Sequence, residues 1–272
     1  MKKFSEIKPK ISVIVPSYNQ GIYLAETIES IIDQEYPNCE LIVIDGGSTD
    51  NSVEIIEKYQ KHIDFWVSEP DHGQCDALIK GFNRATGDIF CWLCSDDKYL
   101  PGTLKIIAEN FQSNPTIDLV YGDTDYLYPD GSLVKKPRIS YHYQTMLRAF
   151  NIIAQPSSFF RARIYRQIGG LDPSLDFAMD YDLFIRFGPK LNCLQLKKSL
   201  SLYRLHPSSK TVSLTKKFDD EWWRVRSKVL GRSIGLWDRL MWWLFTARVV
   251  WRFFIERGVV KITYDKRKFL NG

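Results

Sequence analysis

Apolar positions along the chain switch between two spacings. Ile11–Val15 is a continuous apolar run stopped by Pro16, as in a buried strand, and Leu24, Ile28, Ile31 and Ile32 then recur at the spacing of a helix face. The alternation repeats. Leu41–Ile44 is a second strand closed by Asp45-Gly46-Gly47, after which Ser48-Thr49-Asp50 can cap a helix carrying Val53, Ile55 and Ile56. Phe65–Val67 is a third strand, and Leu78, Gly81, Phe82 and Ala85 mark one face of a helix after Asp71-His72-Gly73. Ile89–Leu93 is the fourth strand, and Pro101 opens the next helix in the favoured first-turn position.

The second half is more mixed. Leu119–Tyr121 is a strand, and Asp130-Gly131 makes a hairpin turn between Tyr126–Tyr128 and Leu133-Val134. A strand near Ser157–Phe160, helices near Arg161–Ile168 and Asp180–Phe187, and a strand near Leu191–Leu196 follow. Strand–helix alternation requires parallel strands and right-handed crossovers, which predicts an α/β fold with a doubly wound, mostly parallel sheet flanked by helices. Residues 1–212 are expected to form that domain and residues 213–272 a helical C-terminal extension.

Charge separates the two parts. Residues 210–272 hold 15 Lys and Arg against 6 Asp and Glu, a net +9, while the rest of the 272-residue chain is net −4. Six of the eight Trp lie in that same extension, which points to an anionic surface as partner. Residues 237–255 read as a basic, Trp-rich helix. Its longest uncharged run, Leu240–Ala247, is eight residues, too short to span a bilayer but suited to the headgroup region, with Arg248 and Arg252 reaching lipid phosphates. A helix packed on the domain, or a dimer contact, is the alternative. No nucleic-acid-binding motif accompanies the charge, so no nucleic acid is expected as partner. The five Cys are scattered, and the Cys91/Cys94 pair lacks the second pair or His cluster of a zinc site. A reducing, cytoplasmic location fits them. Met1-Lys2-Lys3-Phe4 leads into a charged segment with no apolar core, so no secretory leader is expected.

The candidate chemistry begins at Ser95-Asp96-Asp97, where the fourth strand emerges. Adjacent carboxylates repel unless a cation lies between them, and oxygen-only ligands suit Mg²⁺ or Mn²⁺ with substrate phosphates completing the shell. Alone, the pair reads more readily as a solvated turn before the next helix. The first strand ends in Pro16-Ser17-Tyr18-Asn19 rather than G-x-G-x-x-G, which counts against a dinucleotide oxidoreductase. Tyr18 can stack on a nucleobase while Asp45 accepts from its imide N–H, or Tyr18 is a half-buried residue of a strand-end turn.

Five segments in order carry a resemblance: Ile11-Ser-Val-Ile-Val-Pro-Ser-Tyr-Asn19, Leu41-Ile-Val-Ile-Asp-Gly-Gly-Ser-Thr-Asp50, Asp71-His-Gly-Gln-Cys-Asp-Ala77, Trp92-Leu-Cys-Ser-Asp-Asp97 and Met179-Asp-Tyr-Asp-Leu183. Over roughly residues 10–210 the chain resembles family 2 glycosyltransferases. The resemblance implies the GT-A fold and inverting transfer of a sugar, a hexose or N-acetylhexosamine, from a nucleotide diphosphate, usually UDP, with a divalent cation. It implies a glycan or lipid-linked acceptor at the cytoplasmic membrane face, in cell-surface polysaccharide synthesis. Position by position, Pro16, Tyr18 and Asp45 would line the nucleoside pocket, Asp96 would face the ribose or sugar, and Asp97 would hold the metal. Gln74, Asp76 and Lys80 would flank the cleft, with Lys80 on phosphate or simply a surface lysine.

An inverting displacement needs a base for the acceptor hydroxyl. Asp180 and Asp182 compete. Asp182 has Arg186 as an i,i+4 partner and reads as a solvated ion pair, whereas Asp180 shares a face with Phe184 and Phe187 and is expected to be buried. The family pattern also puts the base at Asp180, usually after a Glu where this chain has Met179. His206, in Tyr203-Arg204-Leu205-His206-Pro207, matches a loop that closes over the donor and would contact the diphosphate or the metal, or is an ordinary surface group. A catalytically silent sugar-nucleotide or membrane-binding module is the other class, disfavoured by the presence of both Asp97 and Asp180.

Overall fold

Strands and helices alternate along the chain as the apolar spacing predicts. The structure, a computed structural model, describes residues 8–135, 139–210 and 216–257. In chain order its elements are β1 (Ile11–Ser17), α1 (Gly21–Ile32), β2 (Cys39–Asp45), α2 (Ser52–Tyr59), β3 (Phe65–Ser68), α3 (Gln74–Arg84), β4 (Ile89–Trp92), β5 (Lys98–Tyr99), α4 (Thr103–Ser113), β6 (Leu119–Leu127), β7 (Leu133–Lys135), α5 (Tyr143–Arg148), β8 (Ser158–Arg161), α6 (Ala162–Gln167), α7 (Met179–Arg186), β9 (Cys193–Arg204), α8 (Lys216–Leu230) and α9 (Leu236–Arg257). The Met1–Phe4 segment and residues 258–272 of the extension lie outside the described residues.

These strands form one sheet in the order β3-β2-β1-β4-β8-β6-β9-β5, with β7 paired to β6. β3, β2, β1 and β4 run parallel. The chain winds one way from β1 to β3 and the other way to β4, so the loops leaving β1 and β4 part and open a crevice at their carboxyl ends. β8 is antiparallel to β4 and β6, and β9 runs parallel to β6 before pairing antiparallel with β5. That last pairing returns the end of β9 to the turn after β4.

β1 is buried at all seven positions, because helices cover both faces of the sheet. Its side chains alternate between two cores: Ile14 joins Phe82, Trp92, Phe160 and Phe184, and Val13 and Val15 join Leu24, Ile28, Leu104 and Phe111. α3 approaches β1 closely at Gly81, where a Cβ would lie 2.5 Å from Ile14 Cγ2.

Several boundaries differ from the expectation. α4 starts at Thr103, not Pro101, because Gly102 takes the left-handed conformation (φ +77°) just before it. Asp50 accepts from Ser52 N (3.0 Å) at the start of α2 and from Gly21 N (2.9 Å) at the start of α1, so one carboxylate serves two helix ends. β9 runs eight residues past the predicted Leu196; exposed Lys197 and Lys198 interrupt its apolar pattern, while β6 supplies its backbone partners. The extension divides. α8 belongs to the core, with Trp222 and Val225 buried and the Trp222 ring stacked 3.8 Å from Tyr181. α9 touches the domain through Trp242, whose indole N–H donates to Ala149 O and whose ring meets Trp223 edge-on. Among the described residues, no helix is long and apolar enough to cross a membrane.

Candidate active site

The carboxyl rim of the parallel half gathers most of the predicted residues. After β4 the chain turns through Leu93-Cys94-Ser95 to Asp96 and Asp97. Thr27 Oγ1 on α1 lies 2.9 and 2.8 Å from the carbonyl oxygens of Ser95 and Asp97, which fixes the turn against the helix. The end of β9 closes it from the other side. Arg204 N donates to Asp97 Oδ1 (3.0 Å), and its guanidinium donates to Asp96 O (3.0 Å) and to Glu26 (2.9 Å) while lying over the Tyr23 ring. His206 is 2% exposed, with Nε2 2.9 Å from Asp96 Oδ2 and Nδ1 3.1 Å from Ser208 Oγ.

Asp97 is 1% exposed and its Oδ2 has no hydrogen-bond partner among the described residues. Burial, with the charge of Asp96 beside it, pushes the Asp97 carboxyl well above the ordinary range. Such a site stabilises a proton or a cation. One ligand atom from each of Cys94, Asp96 and Asp97 lies within 4.8 Å of the others. Burial raises the Cys94 thiol well above its usual value, which keeps it neutral, and its sulfur accepts from Gln74 Nε2 (3.1 Å). The hard donors are therefore the two carboxylates, and the orphaned buried oxygen fits Mg²⁺ or Mn²⁺.

The other predicted residues fall around this rim in different states. Pro16 is buried in β1 opposite Ile44, and Tyr18 beyond it is 60% exposed, not half-buried. Asp45 at the end of β2 is fully buried. Its carboxylate accepts from Gly47 N (3.2 Å), Ser48 N (2.8 Å), Ser48 Oγ (2.5 Å) and Ser68 Oγ (2.7 Å), so it builds the loop beneath the crevice. Gly47 in that loop has φ +80°, and a Cβ there would lie 3.1 Å from Pro70 N. Gln74 starts α3. Asp76 accepts from His72 N (3.2 Å), and Lys80 is ion-paired with Glu69 (2.8 Å) and Asp76 (3.5 Å) on a half-exposed helix face.

The two competing acids of α7 differ in the opposite sense to the expectation. Asp182 is fully buried and paired to Arg186 (2.6 Å), whose guanidinium also donates to Ile168 O and Gly170 O. It is a structural pair inside the domain, not a solvated one. Asp180 is half-buried, in the first turn of α7, whereas Phe184 one turn further on the same face is buried and stacked on Trp92. Asn151 Nδ2 donates to Asp180 Oδ2 (2.9 Å), and Tyr181 N to Oδ1 (2.7 Å). A cavity of about 120 Å³ opens beside Asn151, lined also by Tyr121, Asp123, Phe150 and Gln195.

Residues that sequence reasoning did not single out join these parts. Gln155, four residues past Asn151, donates to Trp92 O (2.7 Å), so one short segment spans from Asp180 to the turn that bears Asp96. Glu221 of α8 accepts from Asp176 N (3.0 Å), Phe177 N (2.8 Å) and Ala178 N (3.0 Å), which satisfies the free N–H groups ahead of α7 and complements its dipole. No local pattern marks these contacts; Glu221 lies 41 positions after Asp180 in a charged stretch.

A parallel β3-β2-β1-β4 half with an acidic turn at its reversal point, continued by a mixed half that carries a second acid, is the architecture of the GT-A nucleotide-sugar enzymes. The chain belongs to glycosyl transferase family 2: the sequence model of that family matches residues 12–169. An uncharacterized glycosyltransferase of Nostoc sp. is 28% identical over 222 residues, 75% of this chain and 67% of that protein. The putative teichuronic acid biosynthesis glycosyltransferase TuaG of Bacillus subtilis is 39% identical over 101 residues, 36% of this chain and 40% of its own length. Among solved structures, S. aureus TarS in complex with UDP-GlcNAc has a TM-score of 0.67 at 19% identity, covering 95% of this chain and 77% of that one. The mannosyltransferase PcManGT of Pyrobaculum calidifontis, in complex with GDP-Man and Mn²⁺, has a TM-score of 0.61 at 17% identity over 94% of this chain and 77% of that one. These structural likenesses establish the fold.

Proposed function

We propose that the protein transfers a hexose or N-acetylhexosamine, with inversion, from a UDP-type donor to a glycan or lipid-linked acceptor in cell-surface polysaccharide synthesis, at the cytoplasmic face of the membrane. The observation that carries this reading is the buried, unpartnered Asp97 Oδ2 beside Asp96 at the reversal point of the sheet. The UDP-GlcNAc bound by TarS and the teichuronic acid assignment of TuaG support the donor and the pathway.

In this reading Pro16 and the exposed Tyr18 ring border the nucleoside, and Asp45 acts by holding the 46–48 loop under it. Asp97, with Asp96 beside it facing the ribose or sugar, would hold a divalent cation, which would supply positive charge at the diphosphate. His206 keeps the Asp96 carboxylate oriented, and Arg204 fixes Asp97 from the backbone. Gln74, Asp76 and Lys80 flank the same cleft from α3. Asp180 takes the proton of the acceptor hydroxyl while the acceptor oxygen bonds to the anomeric carbon. The anomeric C–O bond to the β-phosphate breaks on the opposite face, and its electron pair leaves on the nucleotide diphosphate. Asn151 donates to one oxygen of the Asp180 carboxylate and Tyr181 N to the other, which together fix its orientation towards the hydroxyl.

A thermal-shift screen of nucleotide sugars with and without Mn²⁺ tests this. A ligand at about 100 times its Kd adds about 2.7 kcal/mol, or several degrees in a domain of this size. One UDP-sugar should raise Tm with Mn²⁺ and do so weakly without it. A set in which no nucleotide sugar moves Tm, or NADH alone does, would remove the proposal.

A further inference from the structure

We infer that the outward face of α9 rests on an anionic lipid surface and holds the acceptor side of the cleft against it. The face is built from Leu236, Trp237, Leu240, Met241, Trp243 and Leu244, which are among the most exposed large apolar side chains of the described residues, Trp237 at 75% and Trp243 at 61%. At one hundred degrees per residue they fall on one side of the helix, and Trp242 on the other side is the residue tied to the domain. In sequence the same spacing continues through Trp251 and Phe254.

The occupant follows from charge and helix type. Residues 236–257 hold four Arg against Asp238 and Glu256, a net +2 within a basic stretch, so acidic headgroups are attracted whereas a second copy of the same helix carries like charge. Of the acids in this region, Asp238 is already paired to Arg232 (2.6 Å). Arg239 lies exposed over the Trp223 ring, at the border between the apolar face and the domain. The described helix does not meet the length and apolarity of a crossing segment, and Trp side chains with flanking Arg suit a helix lying in the interfacial plane. A short path joins the helix to the site. Trp242 donates to Ala149 O, and two residues later Asn151 donates to Asp180. The significance of that path rests on the reading of Asp180 as the base; the docking itself does not.

Co-sedimentation of the full chain with phosphatidylcholine vesicles, with and without phosphatidylglycerol, tests the inference. The natural protein should bind the anionic vesicles at least ~10-fold more tightly than the neutral ones, and rising salt should weaken the binding. The triple variant Trp237→Glu, Leu240→Glu, Trp243→Glu changes only exposed positions. It should lose ~10-fold or more of vesicle affinity while its hydrolysis of a UDP-sugar with Mn²⁺ stays within ~2-fold. Natural protein left in the supernatant, equal binding to both vesicle types, or a variant that sediments like the natural protein overturns the docking. So does a dimer in light scattering that the variant abolishes, since it would make a second copy the occupant. Vesicle binding without sugar-nucleotide hydrolysis would remove the enzymatic reading and leave the docking standing.

Discussion

Two buried carboxylates sit at opposite ends of the parallel strands, and they are treated in opposite ways. Glu40, at the amino end of β2, accepts from Lys10 Nζ (2.7 Å), Ser12 Oγ (2.5 Å), Thr86 N (2.8 Å) and Thr86 Oγ1 (2.6 Å), and these bonds hold its carboxyl down at about 2 against the cost of burial. Asp97, past the carboxyl end of β4, accepts one backbone N–H on Oδ1, has an orphan Oδ2, and is pushed up by burial and by Asp96. A charge saturated by its own protein stabilises the fold. A carboxylate left short of partners is stabilised by a proton or by a bound cation. The amino end of this sheet is therefore a structural lock, and the carboxyl rim is the candidate site.

The largest effect that sharpens the contrast is on the acceptor side. Asp180→Asn should keep Mn²⁺-dependent UDP affinity and lower kcat at least a hundredfold, on typical general-base magnitudes of 10² to 10⁴; single-turnover rates would show it, and near-normal turnover would pass the role to another group. At the locked end, Glu40→Ala strands Lys10 and Ser12 and should cost about 3 kcal/mol in denaturant unfolding with UDP affinity unchanged. If it lowered UDP affinity as well, the two ends would not be independent.

The pH dependences should have opposite signs. Glu40 has a folded value below its unfolded one, so its contribution is full above pH ~4.5 and is lost as pH falls towards ~2. Asp97 has a folded value above its unfolded one, so ionising it destabilises the metal-free protein, and Mn²⁺, which must displace that proton, should bind more tightly as pH rises. Titrations of Mn²⁺ affinity between pH 5 and 8 read this directly; a flat profile would contradict it. The smallest effect belongs to Asn151→Ala, which should lower kcat about tenfold with donor KM unchanged, the size of one hydrogen bond to a charged group. A rise in donor KM instead would place Asn151 on the nucleotide side.

The parallel half was legible because its signals are local. Apolar runs lead into Asp45 and into the Ser95-Asp96-Asp97 turn, and the structure puts Asp45 at the end of β2 and Asp97 in the turn past β4, on one rim. What sequence did not yield depends on partners far along the chain. Asp182 looked like a surface i,i+4 pair because spacing says nothing of what covers a helix, and the 166–170 backbone that covers it comes from a different element. Asp45 reads from sequence as an acceptor for a nucleobase; that it also accepts from Ser48 and Ser68 of its own surroundings is not visible there. Glu221 and Trp222 read as part of a separate extension, yet one caps the segment leading into α7 and the other stacks on Tyr181. The exposed apolar face of α9 was readable, since periodicity and charge are both properties of the sequence itself.

In the proposed function, the unpartnered Oδ2 of Asp97 serves to hold a cation against a nucleotide diphosphate. Calorimetric titration of UDP into the natural protein and into Asp97→Asn, each with and without Mn²⁺, measures it most directly. The account predicts that Mn²⁺ tightens UDP binding to the natural protein at least ~10-fold and has no such effect on the variant, which remains folded with an unchanged or higher Tm. An equal gain from Mn²⁺ in both proteins would contradict it.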